Sequence, residues 1–137
     1  MSADATTPAY GSGSPTRIRI GHLARCKAEG SRFAMLTCYD AQLAGVFDEA
    51  GVETLLVGDS AANNVMGYGT TLPITLDEMI VFAKSTAAGA RRALVVCDLP
   101  FGSYESSPEQ AVASSVRLRK EAGVHAVKME GGRHFVP

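Results

Sequence analysis

The chain has 137 residues, which is enough for one small domain, and its composition is that of an ordinary globular protein, with 46% hydrophobic and 20% charged residues. Thirteen basic residues against fourteen acidic ones give a formal net charge of −1. This balance gives no electrostatic basis for binding nucleic acid or a membrane surface, so we expect neither among the partners. No apolar run approaches the roughly 18 residues that span a bilayer, and the first residues lack the regions of a secretory signal.

The first segment of the chain has no pattern typical of a helix or a strand. Residues 1–16 are mostly Ala, Ser, Thr, Gly and Pro without apolar periodicity, which predicts a disordered tail, whereas residues 17–137 form the predicted folded part. A short helix is expected over Ile20–Glu29, ended by Gly30. The three cysteines are scattered and odd in number, which favours buried thiols in the reducing cytoplasm over a disulfide framework; they are Cys26, Cys38 and Cys97.

Four apolar runs of strand length then alternate with helical patterns. The runs are RFAMLTCY (32–39), ETLLVG (53–58), ALVVC (93–97) and VHAVKM (124–129), and we expect them to be buried strands. The helices between them carry N-terminal signals: Asp40 as an N-cap, a capping box from Thr75 to Glu78, and a second capping box from Ser107 to Gln110 with Pro108 at the first helical position.

This alternation predicts an α/β fold with a parallel sheet covered by helices. A doubly wound open sheet and part of a (β/α)8 barrel both fit, although no Gly-x-Gly-x-x-Gly follows the first strand. A whole barrel takes about 250 residues. If the fold is a barrel, the chain holds the first half of a (β/α)8 TIM barrel, preceded by a short helix and cut after strand four, with two open sheet edges prone to association.

Polar side chains follow three of the predicted strands at their carboxyl ends, where parallel α/β folds carry their sites. They are Asp59 with Ser60, Asp98, and Lys128 with Glu130. Lys128 and Glu130 are two apart and so point to the same side of their strand. Three carboxylates and a lysine in one cleft suit a hard divalent cation, above all Mg²⁺, although a single Asp after a strand is more often a helix cap.

Other features of the sequence give weaker evidence for a functional site. The segment 61–74 is long for a connection between a strand and a helix, and a substrate-contacting lid and a plain surface excursion remain equally open. His125 is expected to be structural, on the helix-facing side of its strand. No Ser/His/Asp or Cys/His arrangement for nucleophilic catalysis is present in the sequence pattern.

From residue 32 to residue 132 the sequence resembles the ketopantoate hydroxymethyltransferase (3-methyl-2-oxobutanoate hydroxymethyltransferase) family. The resemblance rests on RFAMLTCYDAQLAGVFDEAGVETLLVGDS, GYGTTLPIT, CDLPFGSY with SPEQA, and VKMEGG, four stretches in order. It implies a cytoplasmic (β/α)8 barrel enzyme of pantothenate biosynthesis that assembles as a homo-decamer. Its reaction would transfer a hydroxymethyl group from 5,10-methylenetetrahydrofolate to 3-methyl-2-oxobutanoate, giving 2-dehydropantoate.

The resemblance also assigns roles to the strand-end residues. Mg²⁺ would be bound by Asp59, Asp98 and Glu130, the last directly or through water. The 2-oxoacid would contact Asp59, Ser60, Asp98 and Lys128. The general base of the family is a glutamate in the second half of the barrel, beyond Pro137, so no catalytic base is assigned here and the chain alone is expected to be inactive.

Two alternatives stay open at this point. The first is a related Mg²⁺-dependent barrel enzyme acting on 2-oxoacids, of the isocitrate lyase and phosphoenolpyruvate mutase group. The second is a non-catalytic half-barrel that acts as an interaction piece.

Overall fold

The described part of the chain is residues 16–135, apart from the side chain of His134, in a computed structural model. The predicted disordered tail lies outside the described residues except for Thr16. Within the described range, no helix is both long and apolar enough to cross a membrane.

The sheet has four parallel strands, and each pairs with its successor in the chain. They are β1 (Met35–Thr37), β2 (Thr54–Val57), β3 (Leu94–Asp98) and β4 (Ala126–Lys128). Each overlaps one of the four predicted runs. A doubly wound sheet reverses its strand order at a switch point, whereas this order is sequential throughout. Sequential winding is that of a β/α barrel, so the predicted fold class is confirmed as four consecutive barrel units.

One helix precedes the first strand, and the others connect the strands. They are α1 (Ile20–Glu29), α2 (Ala41–Glu49), α3 (Ala61–Asn64), α4 (Leu76–Gly89) and α5 (Pro108–Arg117), which continues into a π-helical turn at Leu118–Ala122; a 3-10 turn follows β4 at Arg133–Phe135. The Asp40 carboxylate caps α2 by accepting from the Leu43 amide, and Thr75 with Glu78 forms a reciprocal capping box on α4.

The cap of α5 corrects one prediction. Ser107 accepts from the Gln110 amide as expected, but the Gln110 side chain does not return to Ser107. Its Oε1 instead accepts from the amide and the hydroxyl of Ser106. The reciprocal box fails because Ser106 places two donors on the same acceptor, one residue before the cap.

The two faces of the sheet pack against different layers. On the outer face, Leu55, Val57, Val95 and Cys97 lie in a large core with α2, α4 and the π-helical turn. On the inner face, a small cluster forms the floor: Ile18, Leu94 and Val96, with Leu23, Leu56 and Ala126 packed against them. Leu23 lies in α1 and Ile18 lies just before it, so this helix covers the amino-terminal end of the inner face.

The first strand is less buried than the sequence predicts. Met35 is 44% exposed and Leu36 is 39% exposed, whereas every residue of β3 is buried. Both runs are rich in apolar residues, but β1 is an edge strand that pairs only with β2 among the described strands. Burial in a sheet comes from neighbours on both sides and both faces, which an edge strand lacks.

The segment 61–74 is not a plain loop. It starts with α3, where Ala61 and Ala62 are fully buried, and it ends on Ile74, which is 2% exposed. Between them the Tyr68 hydroxyl donates to a Glu78 carboxylate oxygen at 3.2 Å. The segment is therefore anchored to the outer core and to the start of α4.

Candidate functional site

The carboxyl ends of β3 and β4 bring Asp98 and Lys128 together. The two residues are register partners in the parallel pair, and Asp98 Oδ1 lies 2.6 Å from Lys128 Nζ. The Asp98 side chain is only 6% exposed, whereas that of Lys128 is 39% exposed. The sheet register therefore builds an ion pair whose anion is buried and whose cation reaches solvent at the rim.

Burial dominates the electrostatics of Asp98. Desolvation raises the pKa of the Asp98 carboxyl, and the contacts from Lys128 and from the Asp59 amide offset this only in part. The Asp59 carboxylate lies near enough to raise the pKa of Asp98 a little further. For Lys128, desolvation lowers the pKa, but the attraction of Asp98 and Glu130 outweighs it and raises the value overall. An additional cation beside Asp98 would relieve the cost of its burial.

Asp59 and Ser60 lie directly beside this pair. The Asp59 amide donates to Asp98 Oδ2 at 3.3 Å. A Cβ atom on Gly58 would stand 2.9 Å from Ser60 Oγ and 3.6 Å from Asp98 Oδ2, so a side chain here would push the Ser60 hydroxyl from its position. The end of β2 thus brings the backbone within hydrogen-bond distance of a buried carboxylate.

Ser60 is held from the first strand. The Tyr39 hydroxyl lies 2.9 Å from Ser60 Oγ, and Asn64 Nδ2 donates to the same Tyr39 oxygen at 3.0 Å. Sequence reasoning missed both partners. Tyr39 is the last residue of the predicted first strand, at the same rim as the other sites, so its position was the available signal.

Glu130 is placed apart from the other carboxylates. Its side chain is 72% exposed, and its Oε1 lies 3.4 Å from Lys128 Nζ. Lys128 therefore stands between the Glu130 and Asp98 carboxylates. Among the described residues, no group of three or more His, Cys, Asp and Glu side chains is arranged to hold a metal ion. The structure brings Asp59, Ser60, Asp98 and Lys128 together, and it does not bring Glu130 into a three-carboxylate shell.

The remaining donor set still suits Mg²⁺. This ion is usually held by one or two carboxylates, with waters and substrate oxygens completing the octahedron. Asp59 and Asp98 are neighbouring residues at the rim and provide two hard oxygen donors, and the raised pKa of Asp98 marks a buried carboxylate whose burial is offset only in part. Two carboxylates, rather than three, therefore fit the ion.

His125 and Cys97 take structural positions, as expected from the sequence. The ring of His125 lies between the Val95 amide, 2.9 Å from Nδ1, and the Arg17 guanidinium, 2.8 Å from Nε2. Desolvation lowers the pKa of His125, and Arg17 and Arg119 lower it further. Cys97 lies behind Asp98 on the outer face, where burial raises the pKa of its thiol. All three cysteines are buried free thiols.

Comparison with known proteins decides the family. Residues 17–137 match the sequence model of the family described as ketopantoate hydroxymethyltransferase. The chain belongs to this family. Relatives named 3-methyl-2-oxobutanoate hydroxymethyltransferase include a Saccharopolyspora erythraea protein, 58% identical over 95% of this chain and 45% of its own length. That of Mycobacterium tuberculosis is 57% identical over 93% of this chain and 45% of its own length.

The chain thus spans less than half the length of these ketopantoate hydroxymethyltransferase relatives. A solved structure supports the fold independently. The crystal structure of 2,3-dimethylmalate lyase, a member of the phosphoenolpyruvate mutase and isocitrate lyase superfamily, superposes with a TM-score of 0.59. It covers 82% of this chain and 39% of that chain at 22% identity, so the likeness shows the barrel fold alone.

Proposed function

We propose that this chain is the 2-oxoacid-binding half of a 3-methyl-2-oxobutanoate hydroxymethyltransferase. The reaction would transfer a hydroxymethyl group from 5,10-methylenetetrahydrofolate to 3-methyl-2-oxobutanoate, giving 2-dehydropantoate for pantothenate biosynthesis in the cytoplasm. The observation that carries the proposal is the Asp98–Lys128 pair at the strand ends, with Asp59 and Ser60 beside it, in a chain of this family.

The metal would be held by Asp59 and Asp98, with Glu130 contributing through water. When bound, Mg²⁺ supplies a Lewis acid that polarises the keto oxygen of the substrate and acidifies its C3 proton. The raised pKa of Asp98 implies that a proton competes with the ion, so metal affinity would fall as pH falls toward that pKa.

The protein side chains would orient and stabilise the substrate. The ammonium of Lys128 reaches solvent at the rim and would face the oxygen on which negative charge develops during enolisation. The Ser60 hydroxyl, held by Tyr39, would donate to a carboxylate or keto oxygen of the 2-oxoacid. Both groups are ordered by contacts within the chain before substrate arrives, which lowers the cost of organising the site.

The general base is the part that this chain would not supply. Of the described acids near the rim, Glu105 binds the Gly102 and Tyr104 amides, and Glu109 lies in the first turn of α5. Glu130 is paired with Lys128. We propose that the base lies in a region equivalent to the part of the relatives that this chain does not match. We also propose that the assembled enzyme is a homo-oligomer, a decamer as the family resemblance implies.

The test follows exchange of the C3 proton of 3-methyl-2-oxobutanoate for deuterium, with Mg²⁺ and without folate. We expect exchange with the polypeptide as its source cell makes it, and not with the 137-residue chain alone. Lys128→Met should slow exchange by about 10²-fold, because it removes the cation that stabilises the enolate. Lys27→Met, an exposed lysine on α1, is the matched control.

Each possible result has a clear meaning. Exchange that Lys128→Met leaves at the unmodified rate, or that does not require Mg²⁺, would contradict the proposed roles. Turnover by the purified 137-residue chain would show that the base lies within it. Formation of 2-dehydropantoate when 5,10-methylenetetrahydrofolate is added would establish the complete transfer.

A further inference from the structure

We propose that Tyr104 is a positioning residue for the proposed reaction: its hydroxyl fixes the backbone of Glu130 and thereby sets where Lys128 stands against Asp98. The kinetic part of this inference rests on the proposed function. The geometric part rests on the contacts of Tyr104 alone.

The backbone of Glu130 is held by a side chain rather than by a strand. The described ladder between β3 and β4 ends where the Leu99 amide donates to the Lys128 carbonyl at 2.9 Å. Two residues later, the Tyr104 hydroxyl donates to the Glu130 carbonyl at 2.9 Å, and its oxygen accepts from the Glu130 amide at 3.2 Å. One hydroxyl therefore satisfies both backbone groups of Glu130, as a neighbouring strand would.

Tyr104 can impose a position because its own loop is fixed. Glu105 Oε2 accepts from the Gly102 amide at 2.8 Å and from the Tyr104 amide at 3.2 Å. The Ser114 hydroxyl of α5 donates to the Ser103 carbonyl at 2.6 Å. The loop between β3 and α5 is thus bonded to itself and to the following helix, so the Tyr104 hydroxyl has a defined location.

The chain after Glu130 folds back onto the same tyrosine. Gly131 has φ +146°, and a Cβ atom there would collide with the Phe135 ring. The Phe135 ring in turn meets the Tyr104 ring edge-on, with centroids 5.8 Å apart. Tyr104 is 7% exposed as a result. The segment after β4 is therefore packed against Tyr104 from both the hydroxyl and the ring.

A shift of the Glu130 backbone would also move the Asp98–Lys128 ion pair, because β4 is short. β4 has three residues, and Lys128 is the last of them. Its side chain spans the Asp98 and Glu130 carboxylates at 2.6 Å and 3.4 Å. If the Glu130 backbone moves, both the Glu130 carboxylate and the end of the strand that carries Lys128 move with it.

Tyr104→Phe tests the proposal, since it removes the hydroxyl and keeps the ring. In the polypeptide as its source cell makes it, we expect hydrogen exchange of the Glu130 amide to accelerate at least tenfold. We also expect KM for 3-methyl-2-oxobutanoate to rise about tenfold, which corresponds to roughly 1.4 kcal/mol, with a smaller change in kcat. Loss of folded protein alone would lower kcat and leave KM unchanged.

Tyr68→Phe is the matched control, because it also deletes a hydrogen-bonded tyrosine hydroxyl, on Glu78 at the start of α4. It should leave the exchange rate of the Glu130 amide unchanged. An unchanged Glu130 exchange rate in Tyr104→Phe would overturn the proposal, as would an equal rise in KM in both variants. If the unmodified polypeptide shows no turnover, the proposed function fails, while the exchange rates still decide whether Tyr104 fixes Glu130.

Discussion

The inner and outer faces of the same four strands differ in what they bury. The outer face packs against α2, α4 and the π-helical turn in one large core that contains Leu55 and Val95. The inner face has a small apolar floor, around Leu94 and Val96, and ends at the rim in the Asp98–Lys128 pair. Side chains alternate between the faces, so each strand contributes to both.

Within one strand, therefore, some residues stabilise the fold and others contribute to the proposed site. In β3, Val95 and Cys97 face the helices, Leu94 and Val96 face the floor, and Asp98 closes the inner face. Apolar burial on the outer face stabilises the sheet enough to tolerate a desolvated carboxylate one residue away. Substitutions on the two faces should therefore have different consequences for activity and for folding.

The largest expected effect is on activity, at the rim. Asp98→Asn should lower kcat/KM by about 10³-fold, because it removes a proposed metal ligand and the partner of Lys128. The melting temperature should not fall, since a buried charge with a raised pKa is replaced by a neutral isostere. Steady-state kinetics and thermal unfolding of the source-cell polypeptide measure both. A variant that keeps more than a tenth of the activity would refute the role of Asp98.

The outer face should show the reverse pattern. Leu55→Ala should lower the free energy of unfolding by about 2–5 kcal/mol, because Leu55 is fully buried, and should leave KM unchanged. Leu36 is its register partner on β1 and is 39% exposed, so Leu36→Ala is the control and should cost less than about 1 kcal/mol. Chemical denaturation measures both values. Equal costs would mean that β1 is covered in the native assembly.

A substitution in the inner-face floor should lower the free energy of unfolding less than one in the outer core. Ile18→Ala should lower the free energy of unfolding by about 2 kcal/mol, because Ile18 is 1% exposed but sits in a small cluster. The Ile18 amide still donates to the Arg92 carbonyl at 2.7 Å, so the chain path should be preserved. Denaturant titration checks the value. A cost as large as that of Leu55→Ala would show that the inner face stabilises the fold as much as the outer face.

The smallest expected effect is on the pH dependence of stability, at His125 beside the floor. Desolvation, with Arg17 and Arg119, lowers the pKa of His125 in the folded state. A lowered folded pKa gives stability that is present above the unfolded pKa of about 6.5 and is lost as pH falls through the folded value. His125→Gln should therefore reduce the loss of melting temperature between pH 7 and pH 5. An unchanged pH profile would show that His125 does not titrate in this window.

Part of the fold could be predicted because its causes are local. The Asp40 cap and the Thr75–Glu78 box depend on residues three apart, and the structure has both. The positions of Asp98 and Lys128 at one rim follow from the rule that parallel strands end together. By contrast, the Ser107 box was wrong, since a neighbouring serine competed for the same acceptor.

The sequence by itself determined the four β/α units, their parallel direction and the rim at which the polar residues meet. Only the tertiary structure decided that strand order is sequential, that β1 is exposed, and that Glu130 stands outside the carboxylate pair. It also decided that Tyr39 meets Ser60 and that Tyr104 meets Glu130, contacts between residues 21 and 26 positions apart. The physical reason is range: periodicity and capping act within one element, whereas these contacts depend on the register and packing of several elements at once.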